Sequence, residues 1–133
     1  MIVVDTNIIA YLHIAGEFTP SALQVLAKDP HWIAPPLWQS EYRNVLTGYV
    51  KHNVINLEEA IRLLVDGLNT MQDREVAPFN SRVLTLASQS TSSSYDCEFV
   101  ALAMDIGCQL VTADNRIARN FPDVAITLED FIK

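Results

Sequence analysis

The chain has 133 residues, a formal charge of −7, a pI near 4.7 and a composition that is half hydrophobic. That length suits one domain with a real core, and so few glycines and prolines exclude a linker or tail. The acid excess argues against a broad basic face for nucleic acid, and no run nears the roughly 18 apolar residues of a membrane span.

Two readings of the charge survive. Either the partners are not nucleic acids, or part of the acid forms a cluster that metal neutralises while a few arginines touch phosphate. Cys97 and Cys108 lack metal-site spacing and suit two packed thiols in a reducing cytoplasm. The apolar N-terminus has no basic leader and is interrupted by Asp5, so no signal peptide is expected.

In chain order, strand and helix signals alternate, the pattern of an α/β fold with a parallel sheet. Ile2–Asp5 reads as a strand and Thr6–Ile14 as a helix with Ile8, Ile9 and Leu12 on one side. Ser21–Lys28 reads as a short helix after Pro20, and His31–Ala34 as a strand stopped by Pro35-Pro36. A longer helix is expected to about His52, and another from Leu57 to about Gln72 with Asn56 as its N-cap. Glu75–Ala77 is a weak strand and Ser81–Ser88 a helix. The Ser, Thr and Gln stretch Ser88–Ser94 reads as a mobile loop beside a site. Tyr95–Ile106 is a helix closed by Gly107, Leu110–Thr112 a strand, Val124–Ile126 a last short strand and Leu128–Ile132 a helical turn.

Four acids stand where a plain fold would not put them. Asp5 and Asp114 each end a run of β-formers, and open parallel sheets place their chemistry beyond the carboxyl ends of strands. Glu41 lies about 40° from Val45 around its helix, bordering the apolar stripe of Trp38, Tyr42, Val45, Leu46 and Tyr49. Asp96 is about 20° from Ala103, on the edge of a buried side made by Phe99, Leu102, Ala103 and Ile106. Each has a plain structural alternative: caps through Thr6 or Asn115 for the two strand ends, a first-turn acid for Asp96, an ion pair for Glu41. The coincidence of all four favours a cluster.

Two such charges about 5 Å apart repel by roughly 3 kcal/mol at an effective dielectric near 20. Gathering four therefore calls for a cation, and oxygen ligands suit one or two ions of Mg²⁺ or Mn²⁺. Zinc is disfavoured, because His13, His31 and His52 show no paired ligand spacing.

Val4-Asp5-Thr6-Asn7, Glu41 before Val45-Leu46, Tyr95-Asp96 leading into Val100-Ala101-Leu102-Ala103, and Val111-Thr112-Ala113-Asp114 together resemble the motifs of PIN-domain ribonucleases, most closely VapC-type toxins of toxin–antitoxin pairs. The likeness runs through essentially the whole chain in order and spacing. It implies a single PIN-like domain over residues 1–133, a three-layer α/β/α fold with a central parallel sheet of four to five strands. It also implies a cytoplasmic homodimer with Mg²⁺-dependent endonuclease activity on RNA, neutralised by a small antitoxin that inserts a segment, commonly bearing an arginine, into the active-site groove.

Carried over by residue, the resemblance makes Asp5, Glu41, Asp96 and Asp114 the acidic quartet, with Asn7 and Thr112 holding them through hydrogen bonds. Asp5, Asp96 and Asp114 would hold metal directly or through water, and Glu41 would bind a second ion or orient the attacking water. In-line attack would leave a 5′-phosphate and a 3′-hydroxyl. Arg43 and Arg116 are candidate phosphate contacts, whereas Arg119 reads as a surface residue. Trp32 and Trp38 read as core rather than as base-stacking rings. A haloacid-dehalogenase-type phosphohydrolase would need an acid where Asn7 stands, and a non-catalytic PIN-like binding module would not need all four acids.

Overall fold

The computed structural model describes residues 1–133. Four parallel strands lie in the order β2-β1-β3-β4: β1 Ile2–Val4, β2 Trp32–Ile33, β3 Leu110–Thr112 and β4 Ala125–Thr127. Register pairs Val3 with Ile33 on one side and with Leu110 on the other, while Thr112 pairs with Thr127. Every residue of β1, β2 and β3 is buried. This explains why they are unbroken apolar runs (apart from Thr112) instead of alternating ones.

The helices are α1 Thr6–His13, α2 Thr19–Lys28, α3 Leu37–Lys51, α4 Leu57–Thr70, α5 Asn80–Ser88, α6 Ser94–Ile106, α7 Asn115–Asn120 and α8 Leu128–Phe131. The sheet forms the middle of a three-layer α/β/α arrangement. α1 packs with α2, α3 and α4, and α6, backed by α5, covers β1 and β3. One continuous core joins Ile8, Ile9, Trp38 and Tyr42 to strand residues and to Phe99, Val100 and Leu102 of α6. No helix is long and apolar enough to cross a membrane.

Three expectations change in detail. The weak strand at Glu75–Ala77 is reduced to a single parallel bridge from Glu75 to Ala34, at the edge beside β2. The helix α7 was not foreseen. The Ser88–Ser94 stretch is a tied loop: Asn120 donates to Thr91 Oγ1 at 3.1 Å and Ser92 Oγ at 2.9 Å, and Ser92 is buried.

From β1 the chain leaves for β2 on one side, and β3 lies on the other. The carboxyl ends of β1 and β3 thus flank the point where strand order reverses, the usual crevice for ligands in such sheets.

Candidate active site

Asp5 follows β1 and Asp114 follows β3, so both stand at that crevice. Each is also the N-cap of the next helix: Asp5 Oδ1 accepts from Thr6 N at 2.8 Å, and Asp114 Oδ1 accepts from Arg116 N at 2.8 Å. Capping uses one oxygen of each carboxylate and leaves the other for further partners. The plain alternative and the cluster therefore hold together at both positions.

Asp96 enters from α6. Its backbone N–H donates to Ser93 Oγ at 3.1 Å, which is half of a capping box. The Asp96 carboxylate does not return to Ser93 N; it lies beside the crevice, where the Ser93 side chain and Arg116 partly offset its charge. Glu41, half-buried on α3, accepts from Thr6 Oγ1 at 2.7 Å. All four acids line one cavity of about 550 Å³, with Asn7, Ser40, Asn44, Ser93 and Tyr95 among its polar walls and Leu37, Val45 and Ile117 among its apolar ones.

Hydrogen bonds lock this arrangement. Thr112 Oγ1 donates to Asp5 Oδ2 at 2.7 Å and accepts from Asp114 N at 3.0 Å, tying the two strand-end acids together. Asn7 reaches Asp5 Oδ2 at 3.4 Å through its amide nitrogen and accepts from Ala113 N at 3.1 Å. Thr6 was overlooked as a supporting residue. Its only sequence signal is a hydroxyl at the first helical position after a strand-end acid, and its partner Glu41 is 35 residues away.

Electrostatics follow from crowding. Burial pushes the Asp5 carboxyl up to about 6, the Glu41 and Asp96 charges adding to the effect against hydrogen bonds from Thr112 and Thr6. Burial also raises Glu41, reinforced by Asp96 and Glu98. Asp96 is raised by burial and then by Asp114. Few cations offset this charge. Arg116 Nη2 lies 3.9 Å from Asp114 Oδ2 and is largely exposed. Arg43 donates to Ser40 Oγ, on the cavity wall, and also borders a separate groove between α3 and α4; it makes no ion pair with the four acids.

No three Asp, Glu, His or Cys side chains are arranged to hold one metal ion among them. The donors are nevertheless all oxygen, and Mg²⁺ keeps several waters while binding one or two carboxylates. Such a donor set fits a hydrated hard cation held partly through water, not a cage of direct protein ligands.

A parallel α/β/α sheet with a carboxylate-walled cavity at its switch point is the architecture that the motifs led one to expect. A family model for the PIN domain matches residues 2–121, and the chain belongs to the PIN-domain family. It is similar to Ribonuclease VapC3 of Pyrobaculum aerophilum, 26% identical over 124 residues that cover 91% of this chain and 95% of the relative. The crystal structure of PAE2754 from Pyrobaculum aerophilum superposes with a TM-score of 0.77, covering 98% of this chain and 92% of that one at 19% identity, a likeness of fold.

Proposed function

We propose that this protein, acting as one domain, is a divalent-cation-dependent endoribonuclease of the VapC toxin type. The observation that carries this reading is the convergence of Asp5, Glu41, Asp96 and Asp114 on one cavity, in a PIN-family chain similar over nearly its whole length to Ribonuclease VapC3. Asp5, Asp96 and Asp114 would hold one or two Mg²⁺ or Mn²⁺ ions, in part through water. A bound ion supplies positive charge against the scissile phosphate and lowers the pKa of a coordinated water.

The protein's own groups do the rest. Thr112 and Asn7 fix Asp5, and Thr6 holds Glu41 Oε1 so that Oε2 is available to orient the attacking water and take its proton. Burial raises Glu41 toward working pH, which improves it as a base. Arg116, at the rim, contacts an RNA phosphate. In-line attack leaves a 5′-phosphate and a 3′-hydroxyl.

A small antitoxin and a homodimer complete the proposal. The uncompensated acids suit an arginine from the antitoxin. Ile8 and Ile9 of α1 are in the core, Leu23 of α2 is exposed, and Leu57, Ile61 and Val65 form an exposed apolar stripe on α4, surfaces that suit a contact between copies.

The test is to incubate purified, antitoxin-free protein with structured RNA, with EDTA, Mg²⁺ or Mn²⁺. Cation-dependent cuts with 5′-phosphate ends, lost in Asp5→Asn, are expected. Cuts that survive EDTA, or that end in a cyclic phosphate, would refute the reading.

A further inference from the structure

Resting on that function, we infer that Tyr95 is a stacking platform that holds an unpaired nucleobase beside the scissile phosphate. Among the aromatic side chains, only Tyr95 lines the acidic cavity. Trp32 and Trp38 are sealed in the core, their indole N–H groups donating to Asp29 O at 2.9 Å and Glu75 Oε1 at 3.0 Å. Tyr11 stacks on Phe18 in an adjoining cavity that shares Asn7 and Val45 with the acidic one. Tyr95 is 62% exposed and directly precedes Asp96 on the first turn of α6, so its ring sits at the rim beside the carboxylates.

An exposed ring is ordinary on a protein surface. Its place is not, because of the charge around it. Four carboxylates line the cavity, and the guanidinium groups near it are only Arg116 at the rim and Arg43 held by Ser40 on the wall, so beyond a bound ion few phosphate contacts are available at the site that must receive RNA. A nucleobase is neutral and its stacking on an aromatic face does not depend on the sign of the local field. The cavity has room for it: at about 30 Å³ per water, an ion with six waters takes up roughly 200 Å³, well below the 550 Å³ present. Leu37 and Val45 form apolar walls on α3, and the Asn44 amide there offers a donor and an acceptor to a base edge.

The experiment compares wild type, Tyr95→Ala and Tyr95→Phe on a fluorescent single-stranded oligoribonucleotide whose cut site has been mapped, and on versions with one abasic nucleotide beside the cut. Tyr95→Ala is expected to raise KM about tenfold with a smaller change in kcat, and Tyr95→Phe, which keeps the ring, to recover most of the loss. The abasic substrate should weaken the wild type by a similar factor and leave Tyr95→Ala nearly unaffected, a coupling that a merely structural defect would not give. Equal KM for wild type and Tyr95→Ala, or equal sensitivity of both to the abasic site, overturns the stacking role while the nuclease reading stands. If the wild type cuts no RNA, the nuclease reading falls. Stacking is then decided by 2-aminopurine RNA: quenching that needs Tyr95 supports it, and quenching unchanged in Tyr95→Ala refutes it.

Discussion

Burial, opposed only in part by hydrogen bonds from Thr112 and Thr6, leaves the Asp5 carboxyl titrating at about 6, whereas an unfolded chain leaves it near 3.8. The folded state therefore binds the Asp5 proton more tightly than the unfolded state does. Protonated Asp5 favours folding, so that contribution is complete below about pH 4 and is lost as pH rises through about 6. The difference is worth about 3 kcal/mol against the ion-free protein at neutral pH. Asn in its place carries no charge, but its amide nitrogen cannot accept one of the bonds that Asp5 receives from Thr6 and Thr112. The net expectation in EDTA at pH 8 is that Asp5→Asn is more stable than wild type by about 1–2 kcal/mol, and that the gain disappears near pH 4. Urea denaturation at the two pH values reads this directly. A mutant no more stable at pH 8 would mean that Asp5 is comfortable as an anion. Adding Mg²⁺ should reverse the order, because an ion that binds only the folded wild type stabilises it by mass action.

Helix α3 carries Glu41, and its seat on α4 is set by a glycine. A Cβ at Gly67 would lie 2.6 Å from Cε2 of Tyr42, a ring that is fully buried and whose hydroxyl donates to Leu63 O at 3.0 Å. Overpacking costs typically 1–3 kcal/mol, against about 1 kcal/mol gained by alanine in a helix. Gly67→Ala should thus lose about 1 kcal/mol in urea denaturation and, by pushing α3 outward with the residue next to Glu41, lower kcat as well; full activity and stability in this variant would show that Tyr42 yields freely. Elements such as α3 and α6 were legible from the sequence, since a long apolar stripe at helical spacing has one reading. α7 was not: six residues with one buried apolar side chain, Ile117, give no periodicity, and only the Asp114 cap hinted at it. α2 starts at Thr19, earlier than Ser21, because Pro20 is admitted within the first turn. For the site, strand ends and stripe edges picked out the four acids that share the cavity. Arg43, read from sequence as a phosphate contact near the metal, bonds Ser40 and borders the α3–α4 groove. Two residues are about 200° apart on a helix, so adjacency in sequence turned it toward the α3–α4 groove. The Thr6–Glu41 bond depends on how α1 meets α3, which no local pattern encodes.

For the whole molecule, 16 acidic residues against 9 basic ones set how RNA can be held. The affinity of a protein that grips RNA through phosphates falls steeply with salt, by about 0.7 in log–log slope for each phosphate neutralised on a single strand. Here Arg116 lies at the cavity rim, Arg43 faces another groove, and Arg82 is paired with Asp105 at 2.5 Å. One or two phosphate contacts therefore give a slope near −1. Association should be slow for the same reason, since the net field repels the substrate from a distance. Lowering the salt then helps little: it strengthens the few contacts but also lengthens the reach of the repulsion. Fluorescence anisotropy of a labelled single-stranded RNA with the Asp5→Asn variant, on which no cleavage is expected, over a range of NaCl at constant Mg²⁺, measures the slope. A slope of roughly −4 or steeper would require six or more neutralised phosphates. That would mean RNA is held by a basic surface that this chain alone does not form, and would point to a second chain as part of the binding site.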